Sequence, residues 1–262
     1  LVPAIVRSAV HSDGGTAYIN KLMTIALSVL TVMALLATLA APVLVRLYAT
    51  NWSEDQLALA TAFTYWCLPQ IFFYGLYALL GEILNARSIF GPFTWAPLVN
   101  NIISIAGLVV FLVLFGADST GARSISDWTP GMIALVAGTA TAGIAAQALI
   151  LLAFWRKLNI RFRLDFAWRG VGLRETGKMA GWTFGMIIAT QLAGLVETNV
   201  SALASGQGAS VFAFQTAWLA FMLPHSIIAV SLATAYFTRI SHHAAADKTD
   251  LLREDAADAL RR

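Results

Sequence analysis

Six long runs with almost no charge constrain this chain more than any motif in it. They are Leu22–Leu44, Leu57–Gly81, Pro92–Phe115, Pro130–Trp155, Met179–Leu203 and Ala209–Thr238. A bilayer-spanning helix needs about 20 mostly apolar residues, and barrel strands need only about 10 with strict alternation. The runs are far too long for strands, so they predict helices. Charged residues make up 12% of the chain. A water-facing domain carries about 25%. The expected fold class is therefore an all-α polytopic membrane protein with six transmembrane helices.

The placement of charge orients these spans. An even number of spans puts both ends on one side. That side then holds all the Lys and Arg residues except Arg46 and Arg123, out of 17. The positive-inside rule makes it cytoplasmic. The expected organisation follows. Residues 1–21 are the end of a preceding helix and a cytoplasmic loop, and 22–155 hold four spans. Residues 156–178 form a basic interfacial loop, 179–238 two further spans, and 239–262 a cytoplasmic amphipathic tail. The chain starts at Leu1 without an initiator Met and stops in a charged, helical-looking run. It is expected to be a piece of a longer protein.

The loop from Arg156 to Lys178 concentrates basic residues. Arg161, Arg163 and Arg169 are candidate contacts for anionic lipid headgroups, with Phe166 and Trp168 dipping into the interface. The plainer role of such a loop is to anchor topology.

Polar groups inside a membrane are costly, so each is a candidate for function. Glu197 is the outlier, about 27 Å of helical rise beyond Met179. A carboxylate there is protonated, paired or bound to a cation. With Asn199 and Gln191 on neighbouring faces, Glu197 is the candidate for cation or proton coupling; the plain alternative is a protonated acid bonded to the next helix. Pro224 should kink the sixth span, as a hinge or as a static bend. His225 beside it either titrates near neutrality or stays neutral with a partner.

The stretch Glu82–Asn101, "EILNARSIFGPFTWAPLVNN", breaks the apolar pattern. It reads as a cytoplasmic elbow after a helix ending at Gly81. Pro92 suits a helix start. Pro97, Asn100 and Asn101 then fall in the first turns of the third span, which suits a helix that lines a cavity. Gln70 and Gln147 either line that cavity or bond between helices. Gly177, Gly181 and Gly185, and likewise Gly138, Ala142 and Ala146, are spaced for close helix approach.

No P-loop, GxSxG, HExxH or glycine-rich nucleotide fingerprint occurs, and the histidines have no metal-ligand spacing. The one cysteine, Cys67, allows neither an internal disulfide nor a Cys-based zinc site. No enzymatic constellation, metal, organic cofactor or nucleic-acid partner is expected.

The same residues carry a resemblance. "LLGEILNARSIFGPFTWAPLVNNI" is similar to the segment after the third helix in the lipid II flippase family (MurJ, or MviN), within the MATE-like MOP transporter superfamily. The matching positions are Gly81, Ile83, Leu84, Asn85, Phe90, Ala96, Pro97 and Asn101. "LVPAI" resembles the end of the family's second helix. "LPHSIIAVSLATAYFTRIS" resembles the end of its eighth, with Pro224, Ser231 and Ser241 in family-like places. The likeness covers nearly the whole chain as helices three to eight of a fourteen-helix transporter, and the composition suggests an actinobacterial version.

The resemblance implies that the undecaprenyl-linked peptidoglycan precursor moves from the inner to the outer leaflet of the bacterial cell membrane by alternating access. It also implies coupling to Na+, H+ or membrane potential, with an acid such as Glu197 on the seventh helix. Membrane lipids, the missing helices of the same chain and cell-wall synthesis proteins would be the partners. Two positions depart from the family. Leu219 and Met222 stand where many members carry an Arg and an acid, so substrate contacts do not carry over to that helix. The rival readings are an exporter of drugs or lipid-linked polysaccharide, and a non-transporting scaffold for cell-wall proteins.

Overall fold

The computed structural model describes residues 5, 13–118, 121, 123–158, 160–167, 173–203, 211–230, 251 and 257–258, with the backbone alone for 173–180, 183, 229 and 230. All the regular structure among them is helical. Among the described residues, five helical stretches are long and apolar enough to cross a membrane: Thr16–Leu39, Glu54–Ala86, Gly91–Phe115, Pro130–Leu158 and Val211–Ile228. They coincide with five of the six expected spans. The remaining expected span, Met179–Leu203, lies in a helix at Leu173–Ala202 except for Leu203. Packing divides the chain into two units, Leu1–Leu195 and Val196–Arg262.

In the first unit, α1 (Thr16–Leu39) begins earlier than the apolar run suggests. Asp13 caps it, accepting from the Gly15 and Ala17 amides at 3.0 and 2.8 Å. Gly14 and Gly15 turn the chain in with φ of 62° and 80°. The expected start at Leu22 is therefore corrected to Thr16, and Lys21 is helical. The expected end at Leu44 is also corrected. The helix stops at Ala40, and a short α2 (Ala41–Tyr48) restarts with Pro42 in its first turn. A proline fits there because its missing N–H would have no partner.

The second span is two helices, α3 (Glu54–Cys67) and α4 (Gln70–Ala86), broken at Leu68–Pro69. Ser53 and Gln56 form a reciprocal cap at its start. The expected end at Gly81 is corrected to Ala86. The apolar face Leu76, Leu79, Leu80 runs on through Ile83 and Leu84, and the last two are fully buried. Burial at helical spacing keeps the chain helical past the acid at Glu82. The elbow is thus only Arg87–Phe90, closed by Ser88 and Ile89 amides donating to the Asn85 and Leu84 carbonyls.

Then come α5 (Gly91–Phe115) and α6 (Pro130–Trp155), the latter with the bounds that the sequence predicts. Thr129 caps α6 through the Met132 amide at 3.3 Å. Helix α6 is central and packs on α3, α4 and α5, while α1 packs on α4. The core lies where the start of α1 meets the ends of α4 and α6. Ile5, Ile19, Leu80, Ile83, Leu84, Ala148 and Leu151 meet there with no exposed surface. Lys21, Arg87, Arg156 and Lys157 ring the same end.

Helix α7 (Leu173–Ala202) crosses the boundary between the two units. In the second unit α8 (Val211–Pro224) gives way to a π-helical turn, His225–Val230. The rest of the expected sixth span, Ala209, Ser210 and 231–238, lies outside the described residues.

Candidate functional site in the membrane helices

Prolines set the polar chemistry of the first unit. A proline inside a helix removes one amide and frees the carbonyl four residues earlier. In lipid such a carbonyl must find a partner within the protein. Pro97 lies inside α5, so the freed carbonyl belongs to Phe93. It accepts from the Tyr77 hydroxyl of α4 at 2.8 Å, and the Tyr77 ring stacks on the Phe93 ring at 4.8 Å. Gln147 of α6 hydrogen-bonds the same hydroxyl and is itself buried.

One helical turn or two towards the other end, Gln70 Nε2 donates to Thr141 Oγ1 at 2.8 Å. Thr141 in turn donates to the Trp66 carbonyl at 2.7 Å, beside the Pro69 break. Gln70 and Gln147 therefore bond between helices. A polar seam runs along α4 and α6 where the sequence left a cavity open as an alternative.

The asparagines behave differently from one another. Asn100 is half-buried, accepts from Ser104 Oγ at 3.3 Å, and packs on Gly143 of α6. Asn101 is exposed. The carbonyl freed by Pro97 is answered by Tyr77 of α4, and Asn100 bonds within its own helix to Ser104. The close helix approaches include positions that the small-residue spacing did not mark. Gly138 does abut Trp66, but a Cβ added at Gly181 or Gly185 meets nothing within 4 Å. The tight points among the described residues are Gly75 against Leu30, Gly81 against Phe93, Gly107 against Thr139 and Gly143 against Asn100.

Two residues that the sequence reading passed over organise the basic loop. Asn20 and Thr24 are buried on α1, one turn apart. Asn20 Nδ2 donates to the Arg161 carbonyl at 3.2 Å, and its Oδ1 accepts from the Arg163 amide at 3.3 Å. Thr24 Oγ1 accepts from the Asp165 amide at 2.9 Å and donates to the Asn20 carbonyl at 2.7 Å. Every second residue of the loop thus turns its main chain to α1, the period of an extended chain. Ile160 is buried, and its carbonyl accepts from Trp155 Nε1 at 3.0 Å. The Arg161 and Arg163 side chains stay exposed, as do Phe162, Leu164 and Phe166. Arg169 and Trp168 lie outside the described residues. An asparagine and a threonine at i and i+4 entering an apolar run was the available signal.

On α7, Gln191 and Glu197 are exposed and Asn199 is half-buried. Glu197 and Asn199 are two residues apart, so they project about 200° apart around the helix. They do not share a face, contrary to the neighbouring faces expected. At the end of α8, Pro224 coincides with the change from α to π geometry, and the His225 ring stacks on Phe221 at 6.4 Å and 10°. Among the described residues no group of three His, Cys, Asp or Glu side chains is placed to hold a metal ion.

A helical array of this kind fits many transporters, and comparison with known proteins decides among them. A sequence model described as lipid II flippase MurJ matches residues 1–262. The chain belongs to the MurJ family. The probable lipid II flippase MurJ of Buchnera aphidicola subsp. Acyrthosiphon pisum (strain APS) is 26% identical over 187 residues, 71% of this chain and 34% of that protein. The chain thus spans about a third of the length of this curated MurJ relative. The polar seam, the pinned loop and the π turn are features of this MurJ segment's own residues.

Proposed function

We propose that this segment is part of a flippase that moves lipid-linked peptidoglycan precursor from the inner to the outer leaflet of the bacterial cell membrane. The observation that carries the reading is the family match across all 262 residues. The mechanism is alternating access, with no bond of the substrate made or broken. Both ends of the segment face the cytoplasm on the distribution of basic residues. The pinned loop then lies at the inner headgroup layer, where Arg161, Arg163 and Arg169 attract anionic headgroups while Phe162, Leu164 and Phe166 rest at the interface. Glu197 is the coupling acid for Na+ or H+, and takes its remaining ligands from helices outside this segment. Pro97, Asn100 and Asn101 form the entrance of α5, and Pro224 and His225 a bend in α8 that changes between states. Substrate lipid, the other helices of the same chain and cell-wall synthesis proteins are its partners.

The experiment is depletion of the full-length protein in its own host, with assay of the precursor in each leaflet. Accumulation on the cytoplasmic side is the expected result. Unchanged precursor distribution and wall synthesis would remove the substrate assignment and favour an exporter of another cargo. In the same host, Glu197→Gln should reduce transport at constant expression; unchanged transport would take Glu197 out of the mechanism.

A further inference from the structure

The second membrane span carries a break that looks built to move. Leu68 has φ −61° and ψ −34°, and Pro69 has φ −58° and ψ −19°. Both remain in the right-handed helical region. The break therefore consists of altered hydrogen bonding, with no turn in the backbone. Pro69 offers no amide, and its ring crowds the carbonyl of Tyr65. Beyond it the bonds tighten to three-residue spacing, Ile71 amide to Leu68 carbonyl at 3.0 Å and Phe72 amide to Pro69 carbonyl at 3.2 Å. A change of bend at this point moves small torsions within one basin and breaks little local bonding.

Something outside the span must then set the angle, and α6 supplies it. Thr141 donates to the Trp66 carbonyl below the break and accepts from Gln70 just above it. One hydroxyl so ties both sides of the break to a third element. Gly138, one turn earlier on α6, lets the Trp66 ring pack against it, with an added Cβ 3.4 Å from the ring. We propose that Leu68–Pro69 is a hinge and that the Gln70–Thr141–Trp66 clasp holds one of its two positions. Releasing the clasp lets the α3 half of the span swing relative to α4 and α6. In the whole protein this sets the balance between the two access states, a step that rests on the transport reading above. Thr141 and Gln70 are positioning residues here and touch no substrate.

Cys67 sits at the break, half-buried, and is a native reporter. The test uses the full-length protein in its own membranes, with any cysteine outside this segment replaced by serine. The alkylation rate of Cys67 by a membrane-permeant maleimide is measured for wild type, Thr141→Val, Thr141→Ser and Gln70→Leu. The expected result is a shift in the same direction for Thr141→Val and Gln70→Leu, roughly threefold for Gln70→Leu, the scale of one interhelical hydrogen bond in a membrane, and larger for Thr141→Val, which removes two. Thr141→Ser keeps the hydroxyl and should match wild type. Wild-type rates in both Thr141→Val and Gln70→Leu would overturn the hinge, and so would an equal shift in Thr141→Ser. If Thr141→Val does not accumulate, Gln70→Leu, which removes only one bond, decides. The alkylation readout needs no substrate. A shifted rate with unchanged precursor distribution would leave the hinge standing and sink its link to transport.

Discussion

Gly107→Ala tests whether α5 and α6 are held by backbone approach. The two helices run antiparallel in tight register, with Gly107 opposite Thr139 and Gly143 opposite Asn100. A Cβ at position 107 would fall 2.5 Å from Thr139 Cβ and 2.7 Å from its Cγ2. Rotating the threonine brings no relief, because its Cβ is fixed by the backbone. Its hydroxyl is also engaged, donating to the Leu135 carbonyl at 2.7 Å. To restore ordinary carbon–carbon contact near ~3.5 Å the helices must separate by about 1 Å. Overpacking of this kind costs about 1–3 kcal/mol. In lipid the loss is felt in full, since van der Waals packing is a main force between helices there.

The assay is thermal or denaturant unfolding of the full-length protein in detergent, run as a double-mutant cycle. Gly107→Ala should destabilise by that amount. Thr139→Gly alone should cost about 0.3 kcal/mol in helix propensity, besides the lost packing of its side chain. The double variant removes the colliding Cβ, so it should be less destabilised than the sum of the two. Gly131→Ala is the control. Its Cβ meets only Thr129 Oγ1 at 3.9 Å, so a change within about 0.5 kcal/mol is expected. Additive single costs, or a neutral Gly107→Ala, would refute the steric argument.

Asn20→Ala should release the loop at 160–167, losing two main-chain bonds and about 1–3 kcal/mol. Limited proteolysis of that loop reads it, and Asn20→Asp should release it too, since a carboxylate cannot donate to the Arg161 carbonyl. Arg123 holds the far end of α5, donating to the Phe115 and Gly116 carbonyls at 2.9 and 3.3 Å while its guanidinium lies over the Phe111 and Trp128 rings. Arg123→Ala should lower stability by about 1–3 kcal/mol, and Arg123→Lys should recover only part, because an ammonium cannot reproduce the planar fork. Asp127 is held below the usual carboxylate range, first by the Ser124 hydroxyl and then by the Ser124 amide. A depressed acid favours the folded loop above its unfolded pKa and loses that contribution as pH falls through its folded one. The protection factor of the Ser124 amide, its exchange rate relative to an unstructured amide at the same pH, should therefore fall on acidification in wild type and be low at all pH in Asp127→Ala.

The spans were legible because lipid leaves so few options. A run such as Pro92–Phe115 permits only a helix, and Thr129–Pro130 marks the start of α6 in the sequence itself. The ends of α1 and α4 were not legible by apolarity alone. With Asp13 as its cap, α1 starts at Thr16, six residues before the apolar run proper, and Ile83–Leu84 carry α4 past an acid because their side chains reach the core. Both depend on what lies opposite in space. For the candidate site, Pro97, Pro224 and the basic loop were visible as irregularities. Tyr77 and Thr141 were not, because a lone Tyr or Thr in an apolar run is ordinary until its partner is known, and Asn20 was marked only by its spacing to Thr24.

The prolines show why those partners matter. A proline in a membrane helix is an easily read feature, and the carbonyl it frees can be counted off four residues back. What the sequence cannot say is which neighbour answers. Here Phe93 is answered by Tyr77, and the Pro69 break is spanned by Thr141 and Gln70. Tyr77 and Thr141 each come from a different helix, so each local defect becomes a fixed contact between elements. Average interhelical bonds in membranes are worth only about 0.6 kcal/mol. Two states of a transporter need differ by only a few kcal/mol to interconvert. A handful of such bonds placed at helix breaks is therefore on the scale that biases one packing over another without locking it. A hydrophobic seam of equal length offers no such discrete switch, because apolar contact with lipid tails replaces apolar contact with a neighbour at little cost.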